Sequence, residues 1–195
     1  MENRKLLRII FLALIFLIVP ICAFAYNIDT HSFLTDETVN FYNQHFPENQ
    51  ISDGLRDFLI DGSRHEESFP RRRNHFYDPV NNRGLEFMGG SGYASPVWAV
   101  DANKQNEAKY KITATIASIL TAVKERRISA LTTETDFTWD RAKHFYLKGD
   151  KEKTMYLLGH ILHLIQDASV PAKTRNDLIL KDDEKPYEAW AEKFT

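Results

Sequence analysis

An all-α fold in a single domain is predicted by three features of the sequence. Apolar residues recur at spacings of three and four in several segments, no stretch alternates as a strand, and a hydrophobic share of 43% suffices for one core. Residues 35–42 open on the polar and acidic Thr35-Asp36-Glu37 and carry Val39, Phe41 and Tyr42, which predicts a short first helix. Ser52 or Asp53 caps a second, with Leu55, Phe58 and Leu59 on one side and an end near Gly62. Over residues 107–126, Ile112, Ile116, Ile119, Leu120 and Val123 form the apolar stripe of an amphipathic helix with a charged tail. Residues 137–146 and 154–166 read as two more helices, broken at Gly149-Asp150, and residues 187–194 open another. Between residues 78 and 105 stand four of the eight glycines, at 84, 89, 90 and 92, which reads as a long loop serving as a flexible lid or rim. Gly89-Gly90-Ser91-Gly92-Tyr93 lacks the second glycine of a G-x-S-x-G elbow, and no Gly-Lys-Ser/Thr follows for a phosphate loop.

Charge and cysteine content narrow the function. With 25 basic and 27 acidic residues the net charge is -2, which excludes a general binder of duplex DNA. The single cysteine, Cys22, excludes a disulfide framework and a thiolate zinc site, so any metal is held by His, Asp and Glu. The first 25 residues read as a secretory signal peptide. Arg4, Lys5 and Arg8 precede the apolar run from Ile9 to Val19, and Pro20 with Ala23-Phe24-Ala25 marks a cleavage site before Tyr26. The expected location is therefore secreted, periplasmic or extracellular. The alternative is an uncleaved membrane anchor, since no charge occurs from Ile9 to Ile28. Residues 26–195 are then one helical domain, expected to act as a monomer.

The chemistry concentrates on residues 154–166, where Met155, Leu157, Leu158, Ile161, Leu162, Leu164 and Ile165 surround most of a helix and predict its burial. His163 and Asp167 are four apart and share one face, with His160 beside them. Burying such groups costs several kcal/mol unless they meet hydrogen bonds, each other or a cation. By spacing alone, a core histidine satisfied by hydrogen bonds is the simpler reading of such a pair.

The surrounding words change that balance. Leu158-Gly159-x-x-Leu162-His163-x-x-x-Asp167-x-x-x-Pro171, together with Asn74-His75-Phe76-Tyr77-Asp78-Pro79, closely resembles the zinc-dependent phospholipase C family, to which the single-strand-specific zinc nucleases are structurally related. The resemblance covers most of the exported chain, from Tyr26 to Glu188. It implies an all-helical domain that holds three zinc ions in a cleft and hydrolyses phosphodiester bonds. Carried over by position, His75 and His163 bind the first zinc, and Asp167 bridges two metals. Glu67, five residues after the helix-terminating Gly62, takes the remaining carboxylate place and orients or deprotonates the water. Glu66 and Asp61 compete with it, the latter through its 14-residue distance to His75. His31, five residues after Tyr26, matches the nuclease branch, in which the amine and carbonyl of the mature terminus chelate a zinc. Tyr26 replaces the usual Trp, and leader cleavage becomes chemically necessary.

The chain also departs from the family. Where Pro-x-His is expected, Pro171-Ala172-Lys173 stands, and where His-x-x-x-Glu is expected, Glu184-Lys185-Pro186-Tyr187-Glu188 stands. Glu188 persists as a ligand, whereas two histidines are replaced, and a protonated lysine has no lone pair for a metal. The expectation is that two zincs remain and that Lys173 supplies positive charge near the phosphate. The resemblance also implies further C-terminal helices beyond Thr195. Arg71-Arg72-Arg73 reads either as a solvated basic loop or as a greeting for an anionic substrate, with Arg73 nearest His75. His45 and His144 read as surface or packing residues, and His65 and His160 as groups that orient ligands. Trp98, Trp139 and Trp190 read as core or rim aromatics. The expected substrate is a phospholipid or another phosphodiester, met at a membrane surface or as a single-stranded nucleic acid. A decayed relative that binds zinc or lipid without turnover is the remaining reading.

Overall fold

The computed structural model describes residues 27–68, 71–87, 90–107, 136–176, 190, 191 and 193. The leader, Tyr26, Glu188, the helix expected over 107–126 beyond its first residue, and most of residues 187–194 lie outside them. The helices are α1 (Ile28–His45), α2 (Asp53–Glu66), α3 (Ser95–Val100), α4 (Trp139–Leu147), α5 (Lys151–Asp167) and α6 (Pro171–Thr174). Residues 102–107 are also helical. The mostly helical class is as the sequence predicts. Among the described residues no helix is long and apolar enough to cross a membrane.

Local chemistry sets the helix ends. Asn27 caps α1 by accepting from the backbone N–H of Asp29 and Thr30. This cap starts α1 well before Thr35, the residue at which the sequence places its start. Thr138 caps α4 and Asp150 caps α5 in the same manner. Between α4 and α5 the chain turns at Gly149, whose φ of +78° is costly for a residue with a Cβ.

The helix α5 is the axis of the domain, packed on by α1, α2, α3 and α4. Its tightest crossing is with α2, at Gly62 and Gly159. A Cβ on Gly62 would lie 1.9 Å from the Tyr156 carbonyl oxygen, and one on Gly159 would lie 2.1 Å from that of Leu59. Backbone touches backbone there. Gly62 therefore does not end α2 as the sequence suggests; it lies inside the helix, which continues one turn to Glu66. That extra turn carries Glu66 past the crossing on α2, as the turn after Gly159 carries His163 on α5. Buried Leu59, Leu157 and Val39 flank the crossing elements, and Phe76 and Trp98 fill the side toward α3.

The glycine-rich segment is not one long loop. It contains a short antiparallel ladder, β1 (Glu86–Phe87) with β2 (Gly90–Ser91), followed by α3 and the helix over 102–107. The sequence missed the strands because two residues cannot display an alternating pattern. Gly92 is packed rather than free: a Cβ there would meet the Arg73 carbonyl oxygen at 2.0 Å. The segment is thereby held against the stretch that leads to His75.

Candidate metal centre

Separate stretches of chain deliver side chains to one buried point. α1 supplies His31, the end of α2 supplies Glu66 and Glu67, the stretch after a 3-10 turn (Arg71–Asn74) supplies His75, and α5 supplies His160, His163 and Asp167. His31, Glu66, His75, His160, His163 and Asp167 are all buried. Glu67 reaches solvent with 17% of its side chain.

Two of the three central imidazoles, His163 and His31, have Nδ1 turned to a protein acceptor and Nε2 to the cluster, whereas His75 turns Nδ1 to the cluster. His163 Nδ1 donates to the Ser63 carbonyl at 2.7 Å. Its Nε2 then faces Asp167 Oδ2 at 3.4 Å, Glu67 Oε2 at 3.5 Å and His75 Nδ1 at 3.3 Å. His31 Nδ1 donates to Gln166 Oε1 at 2.6 Å, and the Gln166 amide is oriented by donating to Thr35 Oγ1. His31 Nε2 accordingly points to Asp167 Oδ1 at 3.5 Å. His75 presents Nδ1, 2.7 Å from Asp167 Oδ2, while its Nε2 stands 3.5 Å from Glu66 Oε1. The His31 and His163 rings stack with centroids 3.7 Å apart. Acceptors placed behind ligating histidines in this way fix ring and tautomer for a metal.

His31, His163 and Asp167 form one group and Glu67, His75 and His163 another, each with ligand atoms within 4.8 Å of one another. Among the described residues, neither oxygen of Asp167 nor Oε2 of Glu67 receives a hydrogen bond. Buried carboxylate oxygens in that condition are expensive unless a cation meets them. Imidazole nitrogens and carboxylate oxygens are also the donors a divalent ion such as zinc accepts. These buried His, Asp and Glu groups can hold a metal ion.

Of the carboxylates the sequence leaves in competition, Glu67 lies beside His75 and His163. Glu66 is committed elsewhere: Oε1 accepts from Trp98 Nε1 at 2.9 Å, and Oε2 from Arg71 Nε at 2.7 Å and His160 Nδ1 at 2.6 Å. Asp61 is exposed. Arg71 corrects the reading of the arginine run as a solvated loop. It is buried, its guanidinium lies over the rings of Trp98 and Phe137, and it neutralises Glu66 from behind His75. Arg73 is half-buried, and no hydrogen bond or ion pair joins its side chain to the cluster among the described residues. His160 orients Glu66 as anticipated, whereas His65 is exposed and bonds the Asp61 carbonyl, away from the site. His45 and His144 are exposed, Trp98 is core, and Trp139 and Trp190 are exposed. Lys173 is buried beside Phe76. Sequence reasoning missed Ser63, Thr35 and Gln166. For Gln166 a signal existed, since it is an amide three residues after His163 on an otherwise apolar helix.

The charges of the cluster are strongly interdependent. Burial lowers the His163 pKa, but the Asp167 and Glu67 carboxylates beside its Nε2 outweigh burial and raise the imidazole to about 9. Burial would raise the Asp167 carboxyl, yet Lys173, His163 and His75 hold it well below the usual range. Glu66 is likewise held well below its ordinary value against burial, first by Arg71. Burial dominates at His160 and pushes it down to about 4.

These shifts predict a dome of stability for the metal-free protein. Folded His163 keeps its proton up to about pH 9, whereas the unfolded group loses it above about 6.5. Its contribution is complete below pH 6.5 and is lost as the pH rises through 9, about 3 kcal/mol for a shift of that size. His160, with its folded value near 4, and the depressed carboxylates act oppositely, so stability falls as the pH drops from about 6.5. Thermal melts in chelator should peak near pH 6.5, and saturating zinc should remove the alkaline decline. A melting temperature still rising between pH 6.5 and 9 in chelator would contradict these assignments.

No family model matches the chain, and no curated protein or solved structure matches it.

Proposed function

We propose that this chain is an exported zinc-dependent phosphodiester hydrolase of the phospholipase C kind. The observation that supports this reading is the convergence of His31, His75, His163, Asp167 and Glu67 on one buried point. His75, His163 and Asp167 stand in the words that resemble that family, His31 and Glu67 at the offsets from Tyr26 and Gly62 that the resemblance assigns, and they come from separate stretches of the chain. Tyr26 and Glu188 are the further ligands that the reading requires, and both lie outside the described residues.

Zinc held there supplies Lewis acidity toward a phosphoryl oxygen and lowers the pKa of water. The protein's own part is separable into roles. Asp167 directs one oxygen to His31 and the other to His75 and His163, so its carboxylate spans both ligand groups. Glu67 is the member of the cluster in contact with solvent, its carboxyl held below the usual value against burial by His163 and His75. It is thus ionised and placed to orient the attacking water and accept its proton. Asp167 and the Glu66–Arg71 pair keep the histidines in place while this occurs.

The test is zinc content of the protein lacking residues 1–25, paired with turnover on a generic phosphodiester. Tightly held zinc with hydrolysis is the expected result. Release of a phosphorylated headgroup from phospholipid vesicles, against nucleotides from single-stranded DNA or RNA, then distinguishes the lipase from a nuclease. Zinc without turnover on any of these substrates would leave a non-catalytic relative, and the absence of bound zinc would discard the reading altogether.

A further inference from the structure

Lys173 is the cation that the ligand set does not use. Its side chain has no exposure to solvent, and its Nζ has no hydrogen-bond partner among the described residues. The backbone around it is fixed: its N–H donates to the Val170 carbonyl at 3.0 Å, and its own carbonyl accepts from the Tyr77 N–H at 3.1 Å. The second bond ties α6 to the stretch that carries His75. Nζ stands 4.2 Å from the centroid of the Phe76 ring. A ring face returns about 2 kcal/mol to a desolvated ammonium, less than the several kcal/mol that leaving water costs it. Three donor hydrogens are left without an acceptor among the described residues, beside the Phe76 ring that adjoins His75, and the charge of Lys173 helps to hold the carboxyls of Asp167 and Glu67 below their usual values.

We propose that Lys173 and the divalent cation of the centre together bind a phosphoryl oxyanion. The proposal rests on the metal-dependent reading above and names what that site takes. Charge complementarity supports it. Glu66 and Arg71 cancel as a buried pair at 2.7 Å. Glu67, Asp167, Lys173 and even one divalent ion then leave the centre with a single positive charge, which matches the single negative charge of a phosphodiester. An ammonium is a compact point charge with rotatable donors, suited to the non-bridging oxygens of a tetrahedral phosphate. The partly exposed Glu67 marks the side from which such a group enters.

The purified, zinc-loaded protein, titrated calorimetrically with inorganic phosphate, tests this directly. Lys173→Met should weaken phosphate binding by about tenfold or more while leaving zinc per chain unchanged. Lys173→Arg, which keeps the charge, should restore most of the affinity. A purely structural role for Lys173 would show instead as a lower melting temperature with phosphate affinity intact. Should Lys173→Met fail to fold, Lys173→Gln must show the same selective loss. Wild-type phosphate affinity in the neutral variants, or zinc lost together with phosphate, overturns the proposal. If wild-type protein holds zinc and hydrolyses phosphodiesters while Lys173→Met binds phosphate normally, the lysine assignment alone is wrong. A wild type that takes up no zinc removes the parent reading and this one with it.

Discussion

Replacing His163 by alanine is expected to abolish metal binding and, with it, turnover. His163 Nε2 is the atom common to both ligand groups, 3.4 Å from Asp167 and 3.5 Å from Glu67. Its other nitrogen is held by the Ser63 carbonyl, so Nε2 is the nitrogen left to offer a metal. Residues that only orient a ligand cost about 10–100-fold in metal affinity when removed, and loss of a ligand shared by both groups should exceed that. The metal-free protein should suffer as well. With the imidazolium gone, Asp167 and Glu67 lose a charge that offsets their burial. Breaking a buried pair from one side costs about 3–5 kcal/mol. His65→Ala is the control, because His65 is exposed and bonds only within its own helix turn. Titration with zinc and melts in chelator read the two effects separately. Zinc affinity within a few-fold of wild type in His163→Ala would show that the metal is held elsewhere.

How much of this centre is legible in the sequence depends on whether a residue's role is local. The spacing of four places His163 and Asp167 on one face of an apolar helix, but by itself it favours a satisfied core histidine, and only the surrounding word marks the pair as ligands. His75 is recognisable from the word around it. Glu67 competes with Glu66 and Asp61 in the sequence, since three carboxylates within seven residues differ in role only through what faces them. In the fold, Trp98, Arg71 and His160 reach Glu66 from distant segments, and that engagement leaves Glu67 to the cluster. Arg71 is misread for the same reason. Three consecutive arginines look solvated until the Trp98 and Phe137 rings and the Glu66 carboxylate are placed around the first of them. Helix existence was readable from periodicity, but α1 begins well before residue 35 because the Asn27 cap precedes a stretch of low hydrophobicity. The glycines at 62 and 92 look like punctuation in one dimension and are contact points in three.

The contact at Gly159 leads to the expectation that a single methyl group there disables the centre without touching a ligand. A Cβ on Gly159 would stand 2.1 Å from the Leu59 carbonyl oxygen, 2.7 Å from the Ser63 nitrogen and 2.9 Å from the Gly62 Cα. All three are α2 backbone atoms, which cannot swing aside as a side chain can, so Gly159→Ala must push α2 and α5 apart. Overpacking of this kind costs about 1–3 kcal/mol, sometimes more, and a value near 3 lowers the melting temperature of a chain this size by about 10 °C. The consequence for the site follows from position. His163 lies one turn along α5, and its 2.7 Å bond to the Ser63 carbonyl spans the gap that the methyl opens. Once that bond is lost, Nε2 is no longer aimed at Asp167 and Glu67, and zinc affinity should fall with stability. Gly54→Ala provides the contrast, as its Cβ would meet nothing within 4 Å near the start of the same α2 helix. It should melt at or slightly above the wild-type temperature, since alanine suits a helix better than glycine, and bind zinc normally. Gly159→Ala with unchanged melting and unchanged zinc affinity would mean that the two helices do not approach at this point, and the placement of His163 against Ser63 would have to be withdrawn.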